Sequence, residues 1–255
     1  MTQVVMLGSG TSQGIPVIGC HCGVCSSSDP RNRRTRASVY LRLGDRGVVI
    51  DTATEFRLQC VANEIERLDA VLFTHAHADH VHGLDDVRRF NHLQGARIPC
   101  YGSAETMGAL RRKFDYIFRE TQAGGGKPDV AFVEVEGPFE LFGRAVVPLP
   151  VMHGELVVYG YRIGGFAYVS DASEIPPATM GMLEGLDTLV LNALRHEPHA
   201  THLSLGEALG VIERLGPRRA FLTHLSHDVE HAATEATLPA HVRLGYDGLR
   251  FEVAD

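Results

Sequence analysis

The 255-residue chain predicts a mixed α/β fold, on two observations. Apolar runs of strand length alternate with stretches of helical periodicity from one end to the other. Four of the apolar runs also deliver a histidine or an aspartate at their trailing end. Ala70-Val71-Leu72-Phe73 leads to His75, Val146–Met152 to His153, Phe166–Ser170 to Asp171 and Ala220–Thr223 to His224. Strand formation asks only for Val, Ile and Leu, so a repeated ligand at the same end marks one polar cluster on a sheet rim. No linker separates two patterns and the ligands lie in both halves, so residues 1–255 are expected to form a single domain, long enough to bury a sizeable core.

Gln3–Leu7 reads as a first strand, followed by the small-residue turn Gly8–Gly14. That turn is either plain glycine geometry or a close backbone approach to a metal or an anionic substrate. Cys20-His21-Cys22-Gly23-Val24-Cys25 then places three thiols in six residues. Three thiolates want a fourth ligand to close a tetrahedron around a structural zinc. His227, three residues after His224, is the candidate, with His21 competing for the role. Arg31, Arg33, Arg34 and Arg36 form a basic cluster that reads as solvated surface, the alternative being a phosphate-facing arginine among them, with Arg36 nearest the following strand.

Ser38–Leu43 alternates as a half-buried strand, and Val48–Ile50 is a buried strand ending at Asp51. Phe56–Leu68 has helical periodicity, with Leu58, Val61, Ile65 and Leu68 on one face. Next comes Thr74-His75-Ala76-His77-Ala78-Asp79-His80, with four metal-capable side chains in six residues. Adjacent side chains diverge, so one ion cannot collect all four. The spacing suggests two neighbouring ions, one facing His75 and His77, the other Asp79 and His80.

Leu84–Leu93 is expected to be helical, with His82 and His92 solvated, and Ile98–Tyr101 a short strand. Ser103 is placed to cap a helix running to Phe118, and Gln122–Pro128 reads as a flexible loop or connector. Strand follows strand from Val130 to Val169, then a helix over Pro176–Leu186 and a strand over Thr188–Leu191. Ser204-Leu205-Gly206-Glu207 has the form of a capping box opening a helix through Leu215. His202 would stand at that helix N-terminus, where an anion is favoured and a histidine could protonate a leaving oxygen; His196 and His199 are runners-up. A helix over Asp228–Thr237 is followed by Val242–Leu244 and Leu249–Phe251, joined by a hairpin at Asp247-Gly248.

The pattern HxHxDH with a distant His, Asp and His resembles the metallo-β-lactamase superfamily of di-metal hydrolases. The likeness runs from Gly8-Ser9-Gly10-Thr11 to His227. It implies an αββα sandwich of two mixed β-sheets flanked by helices. It also implies that His75, His77 and His153 hold one divalent ion and Asp79, His80 and His224 a second, with Asp171 bridging and Asp51 orienting the ligand loop by hydrogen bonds from behind. The CxCxxC insertion at 20–25 is similar to the subgroup that cleaves 5-phosphoribosyl 1,2-cyclic phosphate in phosphonate breakdown. There the fourth zinc ligand falls on the position of His227 and a phosphate-contacting histidine on that of His202.

The implied function is hydrolysis of a small, cyclic phosphodiester by water activated between two ions (zinc or manganese, or iron), with Asp79 and His202 as the catalytic side chains. Alternatives are a tRNA 3′-processing-type nuclease, a thioester or lactone hydrolase on the same scaffold, and a non-catalytic metal-binding protein. The net charge of −7, from 24 basic and 31 acidic residues, and the lack of Trp argue against a nucleic-acid partner. No apolar run reaches the roughly 20 residues of a membrane span, Val4–Leu7 is too short for a signal peptide, and five cysteines suit a reducing cytoplasm. A homodimer is the family expectation.

Overall fold

The computed structural model describes residues 2–120 and 126–254. Among the described residues, fourteen strands form two seven-stranded sheets. The first contains β1 (Thr2–Gly8), β2 (Ser38–Leu43), β3 (Arg46–Ile50), β4 (Ala70–Leu72), β5 (Ile98–Gly102), β6 (Val130–Glu134) and β14 (Arg250–Val253), in the order β14-β1-β2-β3-β4-β5-β6. The second contains β7 (Phe139–Leu141), β8 (Arg144–His153), β9 (Leu156–Ile163), β10 (Phe166–Val169), β11 (Thr188–Asn192), β12 (Arg219–Thr223) and β13 (Val242–Leu244), in the order β13-β12-β11-β10-β9-β8-β7. Both sheets are mixed: β3 to β6 and β10 to β13 pair in parallel, the rest antiparallel.

The period of two along each strand sorts side chains into layers. In β1, Val4 and Met6 point between the sheets and join Ile50, Leu72, Tyr161, Phe166 and Phe221 in a buried middle layer. Val5 and Leu7 point the other way, into a layer shared with Phe56 of α1 (Phe56–Ala62), Val81 of α2 (Ala78–Val81), Phe90 of α3 (Arg88–Gln94) and Met107 and Leu110 of α4 (Ala104–Lys113). The outer face of the second sheet is covered by α5 (Pro177–Met182) and α6 (Leu205–Leu215) through Ala208 and Ile212, and α7 (His231–Glu235) follows. This is the αββα sandwich. Strands buried on both faces explain why the central runs read as continuous Val, Ile and Leu instead of alternating.

Several local expectations change. The helix expected over Phe56–Leu68 stops at Ala62, and its buried side is Phe56, Gln59 and Cys60, while Leu58 and Val61 are 57% and 69% exposed. Leu84–Leu93 divides into a 3-10 turn, His82–Val87, and α3; α4 ends at Lys113, and the last helix covers only His231–Glu235. The Asp247-Gly248 hairpin does not form, because β13 pairs with β12 and β14 with β1, in different sheets. The Asp247 carboxylate instead accepts from the Ser9 N–H and hydroxyl and from the Thr35 N–H and hydroxyl, at 2.6–2.9 Å. The turn itself forms, with Leu249 N–H donating to Tyr246 O at 3.1 Å, and the buried four-donor anchor carries the chain from one sheet to the other. Of the expected Gln122–Pro128 loop, residues 122–125 lie outside the described residues.

Candidate metal centre

Five strands end on one rim: β3 one residue before Asp51, β4 three residues before His75, β8 at His153, β10 two residues before Asp171 and β12 one residue before His224. Asp51, Asp171 and His224 each have positive φ, 64°, 57° and 57°. A single left-handed residue turns each chain sharply out of its strand, at a cost of about 1–3 kcal/mol for a non-glycine residue. The histidine loop is pinned to the opposite sheet by hydrogen bonds from the Tyr161 hydroxyl to Phe73 O, 2.8 Å, and from Tyr159 N–H to Thr74 O, 3.0 Å.

Ligand atoms of His75, His77, His153 and Asp171 lie within 4.8 Å of one another, and so do those of Asp79, His80, Asp171 and His224. Asp171 belongs to both groups. Its Oδ2 is 3.4 Å from His75 Nε2 and 3.0 Å from His80 Nε2, and its Oδ1 is 3.0 Å from His224 Nε2. Those distances are short, yet the buried Nε2 atoms of His75, His80 and His224 make no aligned hydrogen bond. They converge on shared points, as lone pairs do around a cation, and a buried polar atom without a partner otherwise costs about 1–3 kcal/mol. The opposite ring nitrogens are engaged: His75 Nδ1 with Thr74 Oγ1 at 2.9 Å, His80 Nδ1 with Asp51 Oδ2 at 2.7 Å, His153 Nδ1 with Thr201 O at 2.7 Å. A proton held on Nδ1 leaves Nε2 free to coordinate. The donor set therefore fits two divalent ions that share one carboxylate.

The charges agree. Burial alone would strip the proton from His80, but Asp171, Asp51 and Asp79 outweigh it and hold that ring protonated well above the ordinary histidine range. Burial also raises Asp171, yet His224 and His80 overcome it and keep the carboxyl ionised. Three carboxylates around one imidazole make a field that demands positive charge at that point. His75, by contrast, is driven well below its usual range by burial and then by His80.

His202 stands over this group. Its ring stacks on His224 with centroids 4.8 Å apart, meets His153 edge-on at 4.7 Å, and puts Nε2 3.9 Å from Asp171 Oδ1. Burial, then His224, lowers its pKa to about 3. The capping box at α6 is present, but its donors are taken: Ser204 N–H by Glu207, Glu207 N–H by Ser204 and Leu205 N–H by Arg195 O. The chain itself therefore takes three of the donors at that helix end, and His202 packs against the neighbouring rings. His196 and His199 are exposed.

Away from the rim, Cys20, Cys22 and Cys25 bring their sulfurs to 3.3, 3.8 and 3.5 Å of His227 Nδ1. Cys25 N–H donates to Cys22 Sγ and, as the largest cause, lowers that thiol to about 7, while burial pushes Cys25 up to about 11. Three sulfurs and one imidazole are the donor set of a structural zinc. His21 is exposed and outside the group.

The glycine turn serves this region. Leu225 N–H donates to Ser9 O and Thr11 N–H to Leu225 O, so the turn clamps the segment between His224 and His227. A Cβ on Gly10 would lie 2.8 Å from Arg34 O, which explains the glycine by strand approach and not by substrate. Arg36 binds Glu55 and Ser12 O, and Arg31 binds Asp29, so neither points at a phosphate. Arg34, 1% exposed, donates to Ser226 O at 3.0 Å and Val229 O at 2.9 Å, a buried tie across the same segment.

Sequence reading missed the hydroxyls that serve the histidines. Thr74 and Thr201 each immediately precede the histidine their hydroxyl meets, in Thr74-His75 and Thr201-His202, and that repeat was the available signal; Thr223 precedes His224 in the same way, but its hydroxyl makes no hydrogen bond.

The Beta-lactamase superfamily domain matches residues 46–225. A crystal structure described as a new diphosphatase from the PhnP family superposes with TM-score 0.93 at 44% identity, covering 100% of this chain and 98% of that one. The octanoyltransferase of Porphyromonas gingivalis is 37% identical over 253 residues, or 97% of this chain; the chain spans about half of that protein's length, 51%. Ribonuclease Z of a Mycobacterium species is 27% identical over 99% of this chain and 96% of its own length.

Proposed function

This chain belongs to the beta-lactamase superfamily, and from that premise we propose that it is a metal-dependent phosphoric diester hydrolase acting on a small substrate. The observation that carries the reading is Asp171, shared by two histidine-rich ligand groups, with His202 stacked beside them. His75, His77 and His153 would hold one ion, and Asp79, His80 and His224 the other. When bound, two divalent ions supply activated water and screen the charge on phosphoryl oxygens.

The side chains do the rest. Thr74, Asp51 and Thr201 O fix the proton on the rear nitrogen of their histidines and so aim the ligand loop. Asp79, on the single turn of α2, orients the attacking water. His202 Nε2, facing the centre, meets a phosphoryl or leaving oxygen. A phosphorus in a diester and one in a doubly esterified diphosphate each carry one negative charge and one bridging leaving oxygen. The same geometry therefore serves a cyclic phosphodiester, the favoured substrate, and the linkage that the PhnP-family diphosphatase is named for. Cys20, Cys22, Cys25 and His227 would hold a structural zinc. We read the whole chain as one domain, acting in the cytoplasm as a homodimer; among the described residues no helix is long and apolar enough to cross a membrane.

The test is a substrate panel on metal-analysed protein: bis(p-nitrophenyl) phosphate, 2′,3′-cyclic nucleotides, phosphoribosyl cyclic phosphate, a diphosphate diester and a thioester. Turnover of phosphodiesters without thioester cleavage is expected. Thioester cleavage alone would replace the reading. The likeness to ribonuclease Z supports a nuclease as second reading. Retardation of tRNA in a gel would favour it; the charge of −7 predicts none.

A further inference from the structure

The geometry points to Thr201 as a positioning residue that ties one metal ligand to His202 through two separate groups. Its backbone carbonyl accepts from His153 Nδ1 at 2.7 Å, and its hydroxyl lies 2.9 Å from His202 Nδ1. His199 Nδ1 closes the arrangement, 3.3 Å from the Thr201 hydroxyl and 3.3 Å from His202 Nδ1. His202 is thereby held by its Nδ1, and the opposite nitrogen is left facing Asp171.

The backbone of this loop has little freedom to move. Leu203 N–H donates to Ala172 O at 2.7 Å, beside Asp171, and Leu194 N–H to Leu203 O at 2.9 Å. The Thr201 methyl packs at the turn after β8, where a Cβ on Gly154 would lie 3.1 Å from Thr201 Cγ2. One side chain thus packs against the hairpin that carries His153 and anchors the ring that faces the substrate. Stacking on His224 fixes the plane of the His202 ring but leaves open a half-turn about Cβ–Cγ, which exchanges Nδ1 with Cδ2; the hydroxyl removes that freedom. Groups behind a catalytic or ligating histidine typically contribute about 10–100-fold.

This inference rests on the reading of His202 as the group that meets substrate. Thr201→Val keeps the methyl and the carbonyl and removes the hydroxyl; Thr201→Ser does the reverse for methyl and hydroxyl. The full zinc-loaded chain is compared by side-chain nitrogen NMR of its histidines, and by kcat and KM on bis(p-nitrophenyl) phosphate. In Thr201→Val the His202 and His199 ring signals should shift while those of His75, His77, His80 and His224 stay. Its kcat should fall about 10–100-fold with KM and metal content near the parent's, and Thr201→Ser should restore both signal and rate. Unshifted His202 signals in Thr201→Val, or equal losses in Val and Ser, overturn the assignment. His202→Ala on the same substrate separates the two ideas. If it loses turnover while Thr201→Val does not, this inference alone fails; if it turns over like the parent, the reading of His202 fails with it. The ring signals decide the anchoring even where no substrate is cleaved.

Discussion

Asp51→Asn probes the site through a residue that touches neither substrate nor ion. Asp51 is fully buried, and its Oδ1 accepts from Thr74 N–H at 2.8 Å. Its Oδ2 accepts from the Thr74 hydroxyl at 2.8 Å and from His80 Nδ1 at 2.7 Å. Asparagine fills the same space and keeps one oxygen for Thr74 N–H. Its amide group would then face His80 Nδ1, where two hydrogens cannot coexist. The neutral ring must move its proton to Nε2, the nitrogen aimed at Asp171 and Asp79, and so present a hydrogen where a ligand lone pair is required. The second ion should therefore lose about 10–100-fold in affinity, roughly 1.4–2.7 kcal/mol. In metal-stripped protein, one poorly satisfied buried group costs about 1–3 kcal/mol, which lowers the thermal midpoint by roughly 2–10 °C. Competition with a chelator measures the affinity, and calorimetry the midpoint. Two ions bound as tightly as in the parent would refute the argument that Asp51 sets the His80 tautomer.

Other perturbations test other parts. His202→Ala should retain both ions yet lose turnover by about 10²–10⁴-fold, read by metal analysis beside kinetics. Cys25→Ser should remove one zinc per chain and lower the thermal midpoint, since the free energy of structural zinc binding is folding free energy; unchanged metal content would count against the Cys20, Cys22, Cys25 and His227 site. Burial pushes the Asp247 carboxyl from 3.8 up to about 6 against its four donors. The fold thus holds a proton there that the unfolded chain releases, so this group's contribution to stability is present below about pH 4 and falls, by roughly 3 kcal/mol, as pH rises to about 6. Urea midpoints of Asp247→Asn relative to the parent should improve across that window and level off above it. A difference independent of pH contradicts the assignment.

The clustering of the candidate ligands was legible because they break the chemistry of the runs they follow. Nothing in the packing of β4, β8, β10 or β12 asks for His75, His153, Asp171 or His224, so those residues stood out against their strands. The α1 face was not legible. Leu58 and Val61 satisfy helical periodicity, but the helix stops at Ala62, and Phe56 and Cys60 determine which side meets the sheet. Local pattern cannot register a helix that short. The Asp247-Gly248 hairpin failed for the opposite reason: the turn forms as its local signal asks, but Ser9 and Thr35, far away in the chain, hold its aspartate, and the strands on either side pair in different sheets. Arg36 likewise finds Glu55 and not a phosphate, a pairing that no spacing rule predicts. The Thr–His repeats show that groups behind the ligands leave a trace when the pair is sequential, and none when, as with Asp51, the partner arrives from another strand.

Metal analysis combined with anomalous X-ray scattering, on protein as isolated and after stripping and reloading with zinc or manganese, tests the central claim most directly. Two ions should lie on either side of the Asp171 carboxylate, restored together with phosphodiester hydrolysis, and a third between the cysteines and His227. A protein that holds at most the cysteine-bound ion, and hydrolyses nothing after any divalent metal is returned, would contradict it.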